Sequence, residues 1–206
     1  MEIKHKNKLV IGLTGGVGAG KSTVSGLLQK HYGALLLEAD RICADLITPQ
    51  GSSFAAVVNL LGDSVLDASG VIDRKKMAGM IFSDPSLRLS VNRILHPATF
   101  AAVRQRIAKS RKKLIVYESA IPYEARFEEL CDRVLYVYAS RRSREERLMA
   151  SRGYSPEKIW SIMASQPDEA AYYSLADGVV NNDGSAADCL ARLEALMSEW
   201  GLERLK

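Results

Sequence analysis

Between Gly15 and Ser22 the chain reads Gly-Gly-Val-Gly-Ala-Gly-Lys-Ser, a match to Gly-x-x-x-x-Gly-Lys-[Ser/Thr]. These residue types in this order are what a polyphosphate requires. Gly15, Gly16, Gly18 and Gly20 admit backbone angles closed to other residues, so the main-chain N–H groups from Gly16 through Val17, Gly18, Ala19 and Gly20 can point into one concavity. Lys21 supplies a point charge for β and γ phosphates, the Ser22 hydroxyl can join the coordination of Mg²⁺, and Thr23 can donate to an α phosphate. The positive end of a helix starting at Lys21 would add to the field. The chemistry is that of a nucleoside triphosphate.

The flanking elements must position that loop. Leu9–Leu13 is a short apolar, β-branched run ending in glycines, the pattern of a buried parallel strand, and from Lys21 apolar residues return at helical spacing (Val24, Leu27, Leu28) as far as Tyr32. Ala34–Glu38 predicts a second strand, and Asp40 follows it closely. Carboxylates at the carboxyl end of a parallel strand lie on the edge where open α/β sheets bind ligands, so Asp40 is a candidate base; an N-cap role is the alternative. Residues 51 to about 112 carry helical periodicity over Phe54–Leu61, Lys75–Phe82 and Leu87–Ile107 and no buried strand. Within the last stretch, the His96-Pro97 pair predicts a kink or a new helix start. A lone histidine there is more often a packed or capping residue than a catalyst. Asp67-Ala-Ser-Gly70 fits a GTPase switch motif but follows no strand, so it reads as a turn.

Leu114–Glu118 predicts a third strand with a carboxylate at its end, the layout of a Walker-B element; Glu118 could equally satisfy local backbone. Val134–Tyr138 and Ala176–Asn181 predict the fourth and fifth strands. Between them lie an arginine-crowded helix from Ser140 to Gly153 and a capped helix starting at Ser155-Pro156. Arginines paired with glutamates on a helix usually form a solvated face, and in a phosphoryl-transfer enzyme they can instead form a lid. Ala186–Trp200 closes the chain as an amphipathic helix. Strands alternating with helices after a phosphate loop predict an α/β fold with a parallel sheet covered on both faces.

Composition excludes several classes. The 206 residues are 47% hydrophobic and 25% charged, ordinary for a globular protein, and no apolar run approaches a membrane span. The basic start, Met1–Lys8, leads directly into the first strand and the loop, so cleavage of a leader would destroy the site; this predicts a cytoplasmic protein. Cys43, Cys131 and Cys189 have neither metal nor disulfide spacing and read as free thiols. The net charge of +4 suits phosphorylated substrates. Because the basic clusters 109–113 and 141–144 lack interleaved aromatics, no nucleic-acid partner is expected.

A phosphate loop alone does not say what is done with the triphosphate. A GTPase switch needs an Asn-Lys-x-Asp reader, and Asn181-Asn-Asp-Gly184 is not one. An ATP-driven motor needs a larger core and a longer basic surface. A kinase of a small hydroxylated acceptor uses what is present: the loop, Asp40, a helical insertion and an arginine-rich helix.

Gly12–Thr23, Glu38-Ala-Asp40, Gly70-Val-Ile-Asp-Arg74, Ile94-Leu-His-Pro97, Glu118 to Glu124, Arg147-Leu-Met-Ala150, Ala164-Ser-Gln166 and Ala176-Asp to Asn182-Asp-Gly184 together resemble the dephospho-coenzyme A kinase family, in that family's order along nearly the whole chain. The resemblance implies a P-loop NTPase three-layer sandwich with a five-stranded parallel sheet, a helical substrate-binding insertion and a helical lid. It implies transfer of the γ-phosphoryl of ATP, with Mg²⁺, to the ribose 3′-hydroxyl of dephospho-coenzyme A, in a monomer or weak homo-oligomer. Residues 1–50, 112–140 and 174–206 would form the nucleotide core, 51–111 the acceptor-binding region and 141–173 the lid. Asp40 would be the general base, acting with Lys21 and Arg147; His96, Pro97, Glu118 and Glu124 would line the acceptor pocket, and Asn182 and Gly184 the adenine edge. The chain also departs from the family pattern. Glu38 stands where aspartate is usual, and the second lid arginine falls on Ser151, with Arg152 beside it. Tyr172 stands where lysine is frequent, and Glu118-Ser-Ala-Ile-Pro-Tyr-Glu124 replaces the common Asp-x-Pro-Leu-Leu-x-Glu.

Overall fold

A computed structural model describes residue 5, residues 7–122 and residues 124–205. Most of the basic start, and Tyr123 of the Glu118–Glu124 motif, lie outside the described residues. In chain order the elements are β1 (Leu9–Thr14), α1 (Lys21–Tyr32), β2 (Leu35–Glu38), α2 (Ala39–Leu46), α3 (Phe54–Leu61), α4 (Arg74–Ser83), α5 (Pro85–Lys109), β3 (Leu114–Glu118), α6 (Phe127–Leu130), β4 (Arg133–Tyr138), α7 (Arg141–Arg152), α8 (Pro156–Ala164), α9 (Glu169–Leu175), β5 (Gly178–Asn181) and α10 (Ala186–Glu199). Five strands form one sheet in the order β2-β3-β1-β4-β5. β1 runs parallel to β3 and to β4, and β4 parallel to β5.

Why the sheet has two covered faces follows from strand alternation. Ile11, Leu13, Leu114, Val116, Leu135, Val137 and Val180 point to one face, where they pack with Val24 and Leu28 of α1 and Cys189, Leu193 and Met197 of α10. The residues between them point the other way. There Tyr117 meets Phe127 of α6 with ring centroids 5.1 Å apart, and Tyr136 stacks on Tyr172 of α9 at 5.1 Å. The result is helix, sheet, helix, with β1 in the middle and its carboxyl end feeding the phosphate loop.

Chain contacts divide the molecule into two compact units, Met1–Leu37 with Arg111–Lys206, and Glu38–Ser110. The second is helical. Its core gathers Ile47, Val57, Leu61, Val65, Ile72, Met77, Val91 and Leu95. Asp73 caps α4 by accepting from the Lys75 and Lys76 N–H groups, and Asp84 caps α5 by accepting from Ser86 and Leu87. The Asp67–Gly70 segment is a turn, as expected: the Asp67 carboxylate accepts from the N–H groups of Ser69 at 2.8 Å and Val71 at 3.1 Å.

Pro97 does not start a new helix. It lies inside α5, which continues from Pro85 to Lys109. Proline removes one backbone donor, but the buried stripe Val91, Leu95, Thr99, Val103 and Ile107 runs along the helix on both sides of it. Tertiary packing of that stripe outweighs the lost hydrogen bond. The short α9 is a helix that the sequence pattern did not announce.

Gly12 shows how tightly the middle strand is held. A Cβ built there would fall 2.4 Å from a ring carbon of Phe127, which is wholly buried. Gly12→Ala should therefore lower unfolding free energy by about 1–3 kcal/mol through overpacking, read as a shift of the urea midpoint. An unchanged midpoint would show that the ring is free to move aside.

Candidate active site

The phosphate loop connects β1 to α1, and Gly20 occupies the left-handed region at φ 89° as the residue before the helix. That conformation suits glycine, and neighbours leave no room for anything larger: a Cβ on Gly20 would fall 2.1 Å from the Asn182 side-chain nitrogen. Lys21 bends back over the loop and its Nζ donates to the Gly15 carbonyl at 2.9 Å. Ser22 and Thr23, the first residues beyond it, are exposed.

Two other elements hold this loop. Asn182, at the end of β5 and buried, donates from Nδ2 to the Ala19 carbonyl at 2.9 Å. Arg147 of α7 donates to the carbonyls of Gly18 at 3.5 Å, Ala19 at 3.4 Å and Asn182 at 2.5 Å. Gly16 to Thr23, Arg147 and Asn182 are thus brought together. Gly184 lies two residues further on, in an exposed turn against Asp188, and no described contact joins it to the loop.

The loop has further neighbours that the sequence reading did not assign. Arg144 donates from Nε to the Val17 carbonyl at 2.8 Å, and Gln166, just beyond α8, accepts from the Val17 N–H at 2.8 Å and from Arg144 at 3.4 Å. A signal for Arg144 existed. It stands four residues before Leu148, the buried side chain of α7, so it belongs to the inward stripe of that helix. Arg152 is placed elsewhere, exposed in the last turn of α7 with its guanidinium 5.8 Å over the Tyr154 ring. The solvated-face reading holds for Arg141 and Arg142, which pair with Glu145 at 2.7 Å and Glu146 at 2.8 Å.

Glu118 ends β3 half-buried, in register with Leu13 of β1, and the next N–H, of Ser119, donates to the Leu13 carbonyl at 3.0 Å. A carboxylate therefore stands two residues away, in register, from the start of the loop. Glu124 is exposed. Tyr172 takes no part in a lysine-like ion pair: it is buried, stacks on Tyr136 and donates its hydroxyl to the Ala120 carbonyl at 3.0 Å. Burial pushes its pKa up to about 12, so the phenol stays a donor at neutral pH.

Asp40, His96 and Pro97 belong to the helical unit. Asp40 is exposed in the first turn of α2 and is not its N-cap; Glu38 holds that position, without a side-chain cap bond. α2 and α5 run together so that Asp45 pairs with Arg106 at 3.3 Å and Cys43 lies by Thr99. One turn earlier on each helix come Asp40 and His96. Burial pushes the Cys43 thiol up, with the Thr99 hydroxyl opposing, so Cys43 is no ready nucleophile.

Asp183 ties α7 to the end of β5. Its carboxylate accepts from the Ser140 N–H at 2.9 and 3.0 Å and from the Ser140 hydroxyl at 3.0 Å. Partial burial alone would raise its pKa, but hydrogen bonds from Ser143 and Ser140 and the Arg147 charge outweigh this and hold it below the usual carboxylate range.

Comparison with known proteins adds a family. The dephospho-CoA kinase family model matches residues 9–188. The chain is 32% identical to a dephospho-CoA kinase of Carboxydothermus hydrogenoformans over 93% of this chain and 94% of that one. It is 36% identical to the Streptomyces avermitilis dephospho-CoA kinase over 85% of each. A Thermus thermophilus crystal structure superposes with a TM-score of 0.82 at 28% identity, covering 94% of this chain and 98% of that one.

The lowered Asp183 carboxyl sets a pH dependence. Its stabilising contribution is present above the unfolded value of about 3.9 and is lost as pH falls through the folded value. The urea-midpoint gap between wild type and Asp183→Asn should be widest above about pH 4 and close as the solution is acidified. A gap independent of pH would mean that the charge does not anchor α7.

Proposed function

We propose a division of labour among residues that proceeds from one premise: the chain belongs to the dephospho-CoA kinase family, and its reaction is the transfer of the γ-phosphoryl of ATP to the 3′-hydroxyl of dephospho-coenzyme A. The observation that carries the assignment is the convergence of Lys21, Arg147 and Asn182 on one glycine loop. The loop amides and the α1 N-terminus take the phosphates, and Lys21 swings from the Gly15 carbonyl onto the β and γ oxygens. Arg147 and Asn182 close the side toward the nucleoside.

In the transfer itself, the bond between the bridging oxygen and the γ phosphorus breaks as the acceptor oxygen bonds to that phosphorus. ADP leaves with the bridging oxygen, and the acceptor proton passes to the Asp40 carboxylate, with His96, Pro97, Glu118 and Glu124 as the acceptor-binding residues. Such chemistry asks mainly for positioning and charge neutralisation.

The residues present fit Mg²⁺. The Ser22 side chain is exposed at the start of α1, and a single hydroxyl together with phosphate oxygens and waters is the donor set that a hard, strongly hydrated cation accepts. When bound there it would neutralise charge on the β and γ phosphates.

Lys21→Ala should lose ATP turnover while the far-UV spectrum stays that of the wild type; a near-normal rate would mean that the loop lysine serves no phosphate. Asp40→Asn should lower kcat by about two to four orders of magnitude with a smaller change in KM for the acceptor. Wild-type kcat would remove Asp40 from the chemistry. The acceptor itself is tested by coupled ADP release with dephospho-coenzyme A beside adenosine, nucleoside monophosphates and shikimate. Turnover should require the first, and equal rates with the others would overturn the acceptor assignment.

A further inference from the structure

α7 presents two arginines to the phosphate loop, at different points along it. Arg147 reaches the carbonyls of Gly18, Ala19 and Asn182. Arg144 lies nearer the loop's beginning: a Cβ on Gly16 would fall 2.3 Å from one of its terminal nitrogens and 2.5 Å from Cζ, so the guanidinium rests directly on that glycine. Its own carbonyl oxygen would lie 2.8 Å from a Cβ on Gly18. Glycines at 16 and 18 are therefore what let Arg144 approach.

The loop has a direction. Its lysine serves the β and γ phosphates, and the Lys21 amine sits at the Gly15 carbonyl, 2.9 Å away. The γ end of a bound triphosphate thus belongs at Gly15–Val17, and the α end at the start of α1. Arg144 stands at the γ end and Arg147 nearer the nucleoside.

Charge points the same way. Arg141 and Arg142 are neutralised by glutamates on their own helix. The groups Arg144 bonds to, the Val17 carbonyl and the Gln166 side-chain oxygen, are both neutral, so its positive charge is not cancelled by a hydrogen-bonded partner. Gln166 also holds the Val17 N–H and so fixes the guanidinium relative to the loop. Ser151, one turn after Arg147, carries no charge and bonds the Arg147 carbonyl at 2.6 Å.

We propose that Arg144 is the catalytic arginine of α7, donating to the γ-phosphoryl oxygens as charge builds on them during transfer. Arg147 then binds the nucleoside-diphosphate part. This rests on the kinase reading above and adds a residue to it. A planar fork of donors suits three equatorial oxygens better than a point charge would.

The discriminating measurement is ATP against ADP, because only ATP carries the γ group. Arg144→Ala should lower kcat about 10²- to 10³-fold, the usual loss for one donor to developing charge, and weaken ATP binding while leaving ADP binding at its wild-type value. Arg147→Ala should weaken both nucleotides together. Arg144→Lys should recover part of kcat by restoring charge without the fork. Should Arg144→Ala fail to fold, Arg144→Gln keeps a donor for the Val17 carbonyl and reads the same ATP-to-ADP ratio. Equal loss of ATP and ADP affinity, or an unchanged kcat, would make Arg144 a support of the loop and nothing more, and overturn the inference. The wild-type control separates the two readings: absence of dephospho-coenzyme A-dependent ADP release would sink the acceptor assignment, whereas normal wild-type turnover with an indifferent Arg144→Ala would sink only this one.

Discussion

Everything at the nucleotide site depends on a loop with almost no side chains of its own being held by the side chains of others. Five of the residues from 12 to 20 are glycine, so the loop has little to pack with, and glycine loses more conformational freedom on folding than any other residue. What fixes it is a set of polar donors aimed at its carbonyls: Lys21 on Gly15, Arg144 on Val17, and Arg147 with Asn182 on Ala19. Among the amides, the Val17 N–H is given to Gln166 and the Ala19 N–H to the Gly16 carbonyl; with the carbonyls satisfied from outside, the amides of Gly16, Gly18 and Gly20 supply the polarity that an anion site needs.

The same constraint explains the surrounding order. β1 must be rigid because it delivers the loop, and it lies central in the sheet, paired on both sides and pinned by Phe127 over Gly12. β5 must end where it does because Asn182 has to reach Ala19. α7 must begin where it does because Asp183 holds the Ser140 N–H, and from that start two arginines three residues apart fall on the loop. Tyr172, anomalous in the family pattern, becomes intelligible in this setting. By stacking on Tyr136 and bonding the Ala120 carbonyl, it joins α9 to the segment that follows Glu118.

The phosphate loop, the strands and most of the helices were legible in the sequence because their signals are local: glycine spacing, β-branched runs and a capping residue such as Ser155. Two features were legible in part or not at all. At Pro97 the apolar periodicity of Leu87–Ile107 runs across the proline, but proline opposes helix locally and left a new start open; the buried stripe that carries α5 past it is made of contacts distant in sequence. Arg144 was hidden for the opposite reason. Arg141, Arg142, Glu145 and Glu146 form a convincing solvated pattern that surrounds it, and only the phase set by Leu148 separates the arginine facing inward from those facing water.

That phase has an energetic consequence. Surface ion pairs such as Arg141 with Glu145 contribute little, a fraction of a kcal/mol each, so α7 is not held by its most visible charges. It is held by Leu148 in the interior, by Asp183 at its first turn, and by the hydrogen bonds its two inward arginines make to loop carbonyls. Those last bonds are made to the same surface that a triphosphate would approach. An anion at the loop would compete for the arginines with neutral carbonyls, and a charge-assisted bond is about twice as strong as a neutral one. On the proposed roles, holding the helix and neutralising the substrate would be alternative uses of the same two side chains.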